Sequence, residues 1–197
     1  MNVPNRLTLF RLVLVPILVF FALFPFAHFG FSFGYTSVGF VTIPNLNFIL
    51  LILFVIGSIT DFLDGYIARK QNLVTTFGKF FDPIADKLLV NTLFILLAVD
   101  GVIPVIAVII MIWRDTLVEA VRMLAAKHGV VVSAQFLGKA KTVAQMVTIV
   151  LYLVGNLRFE LYYLPICDLS LWFTVSLSVL SGLSYFIQSK NLIMESM

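Results

Sequence analysis

Charged residues and cysteines are scarce in this chain of 197 residues. Asp, Glu, Lys and Arg make up 12% of it, hydrophobic residues make up 61%, and the mean hydropathy is +1.07. A soluble domain carries about 25% charged residues, so this composition excludes an ordinary soluble fold. The single cysteine, Cys167, excludes an intrachain disulfide. The net charge of +3 is too small and too dispersed to indicate nucleic-acid binding.

Apolar runs of about 20 residues, long enough to cross a bilayer as helices, take up most of the sequence. We therefore predict an all-α integral membrane protein whose single domain, residues 1–197, is a bundle of six transmembrane helices. The predicted helices cover residues 12–29, 46–69, 78–99, 103–126, 138–154 and 166–187. A short interfacial segment at about residues 1–11 comes first, and the glycine-rich, uncharged residues 30–44 are predicted to form a loop. The first apolar run has no small-x-small cleavage site, which favours a retained helix over a signal peptide.

Basic residues concentrate at one set of the predicted helix ends. Six helices that alternate in direction bring both termini to the same side, and the basic residues of that side are Arg6, Lys70, Lys79, Lys127, Lys139, Lys141 and Lys190. The opposite ends carry Arg158 alone. Because basic residues favour the cytoplasmic side of a membrane, we expect both termini to be cytoplasmic.

Small residues recur every four positions in the last predicted helix, at Thr174, Ser178 and Gly182. Such a stripe lets two helices approach closely. It fits packing within the bundle and contact between subunits equally well.

Four aspartates fall within 26 residues of this weakly charged chain. Asp61 and Asp64 share a helix face at the end of one apolar run, and Asp82 and Asp86 share a face at the start of the next. Where these helix ends meet, four carboxylates converge, and like charges repel by about 1 kcal/mol per pair at 4 Å even in water. Cations or protons must therefore stabilise the cluster. Oxygen ligands suit Mg²⁺ or Mn²⁺ better than Zn²⁺, so we predict a divalent-metal site at the membrane surface.

Four basic residues are predicted to lie at a similar depth on later helices. Arg114 and Arg122 are about two turns apart on one helix, and Lys139 and Lys141 begin the next. Ionisable residues within apolar segments mark functional sites by default. A basic wall opposite an acidic one suits a phosphorylated substrate, although snorkelling towards lipid headgroups is the alternative explanation for basic side chains.

The spacing of the acidic cluster is Asp61-x2-Asp64-Gly65-x2-Ala68-Arg69-x8-Gly78-x3-Asp82-x3-Asp86. It resembles the full signature of the CDP-alcohol phosphotransferase family. The likeness continues in Pro4-Asn5-x2-Thr8-x2-Arg11, in residues 77–87, in Arg114-Asp115 with Arg122, and in residues 138–146. These segments are similar to bacterial members that use glycerol phosphate as the acceptor.

The resemblance implies a role for each residue of the pattern. Two Mg²⁺ or Mn²⁺ ions per site would be held by Asp61, Asp64, Asp82 and Asp86, and Asp86 would also be the general base. The CDP-linked lipid would be bound by Gly65, Ala68, Arg69, Thr75 and Gly78, with Asn5 and Thr8. The phosphate of the acceptor would be bound by Arg114, Arg122, Lys139 and Lys141.

The expected activity is transfer of a phosphatidyl group from CDP-diacylglycerol to sn-glycerol 3-phosphate, which gives phosphatidylglycerol phosphate and CMP. We expect a homodimer in the cytoplasmic membrane, surrounded by membrane lipids, with its active site facing the cytoplasm. Other acceptors of the same family are the first alternative: inositol phosphate and, less favoured by a basic wall, serine. A cation channel or transporter is the second alternative. It would place carboxylates along a path across the bilayer, whereas these four lie at one face.

Overall fold

The computed structural model describes residues 2–38, 41–70, 75–127, 136–154, 165–190 and 194. Within these ranges the chain forms six α-helices, one short 3-10 helix and a two-stranded hairpin. The helices are α1 (Val3–Leu23), α2 (Asn45–Lys70), α3 (Thr76–Val99), α4 (Val105–Lys127), α5 (Phe136–Leu153) and α6 (Ile166–Gln188). All but the first lie within about two residues of the predicted bounds. Arg158, the predicted basic residue of the opposite side, lies outside the described residues.

The first helix differs from its predicted bounds at both ends. It begins at Val3, so the polar start of the chain forms the first turns of the same helix rather than a separate segment. It ends at Leu23 because Phe24 precedes Pro25 and adopts an extended conformation, with φ −68° and ψ 128°. Phe26–Phe29, which we predicted as helix, therefore forms a separate 3-10 turn.

The prediction of a loop over residues 30–44 is wrong for part of that segment. Strands β1 (Tyr35–Val38) and β2 (Val41–Pro44) pair antiparallel, with Tyr35 opposite Pro44 and Val38 opposite Val41. The segment contains threonine, valine, isoleucine and tyrosine, which favour strands. The loop was predicted from the glycines of this segment. Gly30 and Gly34, which have φ angles of +76° and +68°, lie before the hairpin and do not interrupt its strands.

The helices form two groups of three. α1 packs against α2 and α3, which also contact each other, while α6 packs against both α4 and α5. An added Cβ at Gly57 of α2 would lie 2.5 Å from Leu89 Cδ2 of α3, so the glycine allows these two helices to approach closely. Contacts of α3 with α4 and α5, and of α2 with α5, join the two groups. Their shared core includes Leu18, Phe54, Leu93, Met111 and Leu171.

Four helical segments are long and apolar enough to cross a membrane: Val3–Leu23, Asn45–Ile67, Phe136–Leu153 and Ile166–Gln188. By length and composition this is a multi-pass membrane protein. The two remaining helices, α3 and α4, carry four and five charged residues.

The stripe of small residues on α6 packs within the bundle. Thr174 and Ser178 are fully buried, and the Thr174 hydroxyl lies 3.0 Å from the Thr148 hydroxyl of α5. An added Cβ at Gly182 would lie 2.9 Å from Arg114 Cγ of α4. Of the two explanations for the stripe, packing within the bundle and contact between subunits, these contacts support close packing of α6 against α4 and α5.

Candidate active site

A cleft of about 340 Å³ opens between the two helix groups at one end of the bundle. Its lining from α3 includes Asp82, Asp86 and Lys87. The opposite lining, from α4, α5 and α6, includes Arg114, Asp115, Arg122, Gly138, Lys139, Lys141 and Tyr185. We call the four predicted metal ligands the acidic wall: Asp61, Asp64, Asp82 and Asp86. We call the four predicted phosphate-binding residues the basic wall: Arg114, Arg122, Lys139 and Lys141.

The four aspartates converge, as predicted, and they do so around one arginine. Arg11 of α1 is only 1% exposed. Its Nη1 donates to Asp61 Oδ1 at 2.5 Å and also to Asp86, and its Nη2 donates to Asp64 Oδ2 at 2.5 Å. Asp82 Oδ1 lies 3.9 Å from the same Nη2. A single buried guanidinium therefore connects α1 to both helices that carry the acidic wall.

Helical spacing explains why this arrangement forms. Thr8 and Arg11 are three residues apart on α1 and both are buried, so they project from one face. The Thr8 hydroxyl donates to Asp82 Oδ1 at 2.5 Å. Thr8 and Arg11 thus contact the acidic wall side by side. No role for Arg11 was predicted from the sequence, although an arginine inside an apolar helix is itself a signal of function.

The acidic wall suits a hard divalent cation by the chemistry of its donor atoms. Among the described residues, no three Asp, Glu, His or Cys side chains are arranged as a metal-ligand set, and the aspartates are turned towards Arg11 instead. Arg11 contacts Asp61, Asp64 and Asp86 through one oxygen each, and a carboxylate has two. The Asp61, Asp82 and Asp86 side chains are 32%, 36% and 43% exposed. The wall can therefore offer carboxylate oxygens to Mg²⁺ or Mn²⁺ while Arg11 stays in place.

Several residues predicted to bind the CDP-linked lipid meet beside Asp82. The Thr75 hydroxyl donates to Asn5 Oδ1 at 2.7 Å and accepts from the Gly78 N–H at 3.0 Å, which caps α3. An added Cβ at Gly78 would lie 3.3 Å from Asp82 Oδ2, so a side chain there would crowd the acidic wall. Gly65 follows Asp64 in α2. The side chains of two further candidates lie outside the described residues: Ala68 and Arg69.

The basic wall is built around a buried acid. Asp115 is 5% exposed, and its Oδ1 accepts from Lys141 Nζ at 2.5 Å and from Arg114 Nη1 at 3.0 Å. Lys141 is itself buried, whereas Lys139 is exposed at the cleft. In the sequence Asp115 is recognisable only as part of a motif, and its contacts with two members of the basic wall were not predicted.

Two residues of α6, Ser181 and Tyr185, contact the basic wall, and neither was predicted from the sequence. Arg122 Nη2 donates to the Tyr185 hydroxyl at 2.6 Å, and Arg114 Nη2 donates to the Ser181 hydroxyl at 2.7 Å. The Cζ atoms of Arg114 and Arg122 lie 5.7 and 5.0 Å from the centre of the Tyr185 ring. A tyrosine in an apolar helix gives no sequence signal of such a role, because only the tertiary fold brings α6 against α4.

A helical membrane bundle with carboxylates facing basic side chains across a cleft is the setting that the sequence signature implies. The family model for CDP-alcohol phosphatidyltransferases matches residues 1–180. The chain therefore belongs to the CDP-alcohol phosphatidyltransferase family, and it is an enzyme of that family.

Three curated relatives of this chain share the name of one enzyme. The CDP-diacylglycerol–glycerol-3-phosphate 3-phosphatidyltransferase of Bacillus subtilis is 46% identical over 190 residues, which cover 96% of this chain and 95% of the relative. The Rickettsia bellii protein of the same name is 35% identical over 94% of this chain and 93% of its own length. The Mycoplasma genitalium protein, again of that name, is 35% identical over 95% and 83%.

Proposed function

We propose that this protein transfers the phosphatidyl group of CDP-diacylglycerol to sn-glycerol 3-phosphate and releases CMP. The observation that carries the proposal is the cleft in which Asp82 and Asp86 face Arg114, Arg122 and Lys139. One substrate of this reaction contains a diphosphate and the other a phosphate monoester. The names of the relatives supply the identity of both substrates.

The acidic wall is the proposed binding site for the donor diphosphate. Asp61, Asp64, Asp82 and Asp86 would hold two Mg²⁺ or Mn²⁺ ions, which neutralise the diphosphate and the charge on departing CMP when bound. Arg11 keeps the four carboxylates together from the side opposite the solvent. The cluster of Asn5, Thr75 and Gly78 lies beside Asp82, so the nucleotide would bind at this end of the wall.

The basic wall is the proposed binding site for the acceptor. Arg114, Arg122 and Lys139 would hold the phosphate of sn-glycerol 3-phosphate, and Lys141 would act from behind them through Asp115. Asp86 lines the same cleft and is the most exposed of the four aspartates. It would accept the proton of the acceptor hydroxyl as the oxygen forms its bond to the phosphatidyl phosphorus and the bond from that phosphorus to CMP breaks.

An apolar groove beside the acidic wall supports a lipid substrate. It runs between α2 and α5, encloses about 430 Å³ and is lined by Phe54, Ser58, Phe62, Val147 and Val150, among others. Phe62 directly follows Asp61 in the chain. An acyl chain in this groove would leave its headgroup close to the carboxylates, as a phosphatidyl transfer requires.

The same proposal includes the number of membrane crossings, the orientation of the protein in the membrane and its oligomeric state. All six helices cross the membrane, α3 and α4 included, and both termini and the cleft face the cytoplasm. The excess of Lys and Arg on the cleft side supports this orientation. The protein acts as a homodimer, which is the usual assembly of the family that its signature resembles.

The test is an assay of the purified protein with CDP-diacylglycerol and a panel of acceptors: sn-glycerol 3-phosphate, inositol phosphate and serine. We expect Mg²⁺- or Mn²⁺-dependent release of CMP with sn-glycerol 3-phosphate and little with serine, which carries no phosphate for the basic wall. Preferential use of inositol phosphate would identify inositol phosphate, and not sn-glycerol 3-phosphate, as the acceptor. Preferential use of serine would overturn the assignment of the basic wall.

A further inference from the structure

Tyr185 is the shared contact of both arginines in the basic wall. The residue is fully buried near the end of α6, and its ring lies 5.0 Å from Arg122 Cζ and 5.7 Å from Arg114 Cζ. Its hydroxyl accepts a hydrogen bond of 2.6 Å from Arg122 Nη2. One side chain therefore contacts two cations that sit about two turns apart on α4.

Two guanidinium groups around one ring repel each other, so such a pair needs fixed partners. Ring faces attract guanidinium groups by about 0.5–1 kcal/mol at exposed sites and about 2 kcal/mol or more when desolvated. On the Arg114 side, the Ser181 hydroxyl accepts from Nη2 and Asp115 accepts from Nη1. The Nε–H groups of both arginines are buried and have no hydrogen-bond partner among the described residues. The pair thus keeps positive charge and donor capacity that the protein does not use, which suits an anion.

Gly182 allows Arg114 to approach α6 closely, whereas a side chain at Gly138 would make only ordinary contacts with the tyrosine. An added Cβ at Gly182 would lie 2.9 Å from Arg114 Cγ, closer than packed side chains tolerate. An added Cβ at Gly138 of α5 would lie 3.6 Å from the Tyr185 ring and from its hydroxyl oxygen. Gly182 is therefore the residue that lets the Arg114 stem lie against α6, and this is a specific reason for a glycine in the small-residue stripe.

We propose that Tyr185 is a positioning residue that orients Arg114 and Arg122 to bind the phosphate of the acceptor, with Gly182 providing the space that Arg114 needs. The inference rests on the proposed function, because it assigns a role in binding the acceptor. It adds that recognition of the acceptor phosphate depends on α6, which contributes no charged side chain to the cleft.

The experiment compares three variants of the full chain. Tyr185→Phe keeps the ring and removes the hydroxyl, Tyr185→Leu removes both, and Gly182→Ala displaces Arg114 without altering the tyrosine. Tyr152→Phe is the matched control, because Tyr152 is also buried and its hydroxyl donates to a carboxylate, Asp168, at 2.9 Å, away from the cleft. Steady-state constants are measured for each substrate separately, with thermal unfolding of every variant.

We expect the KM for sn-glycerol 3-phosphate to rise about 3- to 10-fold in Tyr185→Phe, as loss of one hydrogen bond predicts. The rise is about 10- to 100-fold in Tyr185→Leu, which also loses the ring contacts, and Gly182→Ala raises the same constant. The KM for CDP-diacylglycerol stays within about twofold in all of them, and Tyr152→Phe resembles the wild type. A damaged fold reduces the active fraction and hence kcat, and it does not raise one KM selectively.

Three results overturn the inference, and they can be distinguished from one another. If none of the phosphorylated acceptors supports CMP release by the wild-type protein, the proposed function is overturned, and the inference with it, before any variant is compared. A wild type that uses such an acceptor normally, with an unchanged acceptor KM in Tyr185→Leu and Gly182→Ala, overturns the role of Tyr185 alone. Equal rises in both KM values overturn it as well, because they indicate general damage to the cleft.

Discussion

The two walls of the cleft are built on opposite charge patterns. In the acidic wall a buried arginine, Arg11, contacts four carboxylates from two helices. In the basic wall a buried aspartate, Asp115, accepts hydrogen bonds from Arg114 and Lys141. Charges buried in a bundle are tolerated only when they are paired. Each wall therefore contains one buried residue of the opposite sign behind the side chains that are predicted to bind the substrates.

The walls differ in what else stabilises them. The acidic wall depends on ionic contacts that cross from α1 to α2 and α3, and Thr8 is the neutral side chain that supports Asp82. The basic wall adds an aromatic ring and a serine hydroxyl from α6. The acidic wall has an excess of negative charge that one arginine cannot balance, whereas the arginines of the basic wall are held by packing as well as by charge. Removal of single charges should therefore affect the two walls differently.

Removal of divalent cations is the largest change that can be made to one wall alone. We expect a chelator to abolish CMP release and added Mg²⁺ or Mn²⁺ to restore it, because a diphosphate cannot bind beside four carboxylates whose negative charge one arginine does not balance. The midpoint of thermal unfolding should rise with Mn²⁺ in the wild type and rise less in Asp82→Asn, since binding to the folded state stabilises it. Full activity in protein verified to be free of metal would contradict a metal-binding acidic wall.

Loss of Arg11 is the next largest expected effect. Arg11→Met removes the buried partner of the carboxylates, and breaking such a pair costs about 3–5 kcal/mol. We expect a much lower unfolding midpoint and very low activity, with partial recovery in Arg11→Lys, which keeps the charge but not the forked geometry. Arg6→Met is the matched control, because Arg6 lies on the same helix and is exposed. An Arg11→Met protein as stable as this control would show that the aspartates converge without a central cation.

Substitutions within the acidic wall separate binding from chemistry. Asp86→Asn keeps a ligand oxygen but cannot accept a proton near neutral pH, so we expect kcat to fall by a factor of about 10² or more while CDP-diacylglycerol still binds. Asp61→Asn should weaken binding of both metal and CDP-diacylglycerol. Affinity and turnover are measured for each at saturating Mn²⁺, with Asp168→Asn, away from the cleft, as the control. Near wild-type turnover in Asp86→Asn would remove the general-base role from this residue.

Local patterns in the sequence predicted much of the fold and the charged residues of both walls. Helices α2 to α6 were recognisable because apolar runs end at polar or turn residues, and the aspartates were recognisable because charge is rare in such runs. The continuous first helix was missed because Asn5, Arg6 and Thr8 resemble an interfacial segment, although they lie on the first turns of α1.

Contacts between distant helices could not be derived in the same way. Arg11 lies 50 residues from Asp61 in the chain, and Tyr185 lies 63 from Arg122. Periodicity places each residue on a face of its own helix but does not say which helix packs there. The motif therefore predicts which residues bind the substrates, whereas the residues that hold those side chains in place are visible only in the fold.

The last comparison lies within the basic wall, between a held cation and an exposed one. Arg114 has partners in Asp115, Ser181 and Tyr185, whereas Lys139 is exposed at the mouth of the cleft. Loss of a charge-assisted phosphate contact from a pre-organised arginine should cost about 1.5–3 kcal/mol, so we expect Arg114→Ala to raise the KM for sn-glycerol 3-phosphate about 10- to 150-fold.

An exposed lysine is screened by water and pays entropy when it is fixed, so Lys139→Ala should raise the same constant about two- to fivefold. Neither variant should change the KM for CDP-diacylglycerol, and Lys127→Ala, an exposed lysine at the end of α4, is the control for a general loss of positive charge. If Lys139→Ala proved the more damaging, the phosphate would bind at the mouth of the cleft rather than between Arg114 and Arg122. An increased KM for CDP-diacylglycerol with unchanged acceptor binding would mean that the two walls bind the substrates the other way round.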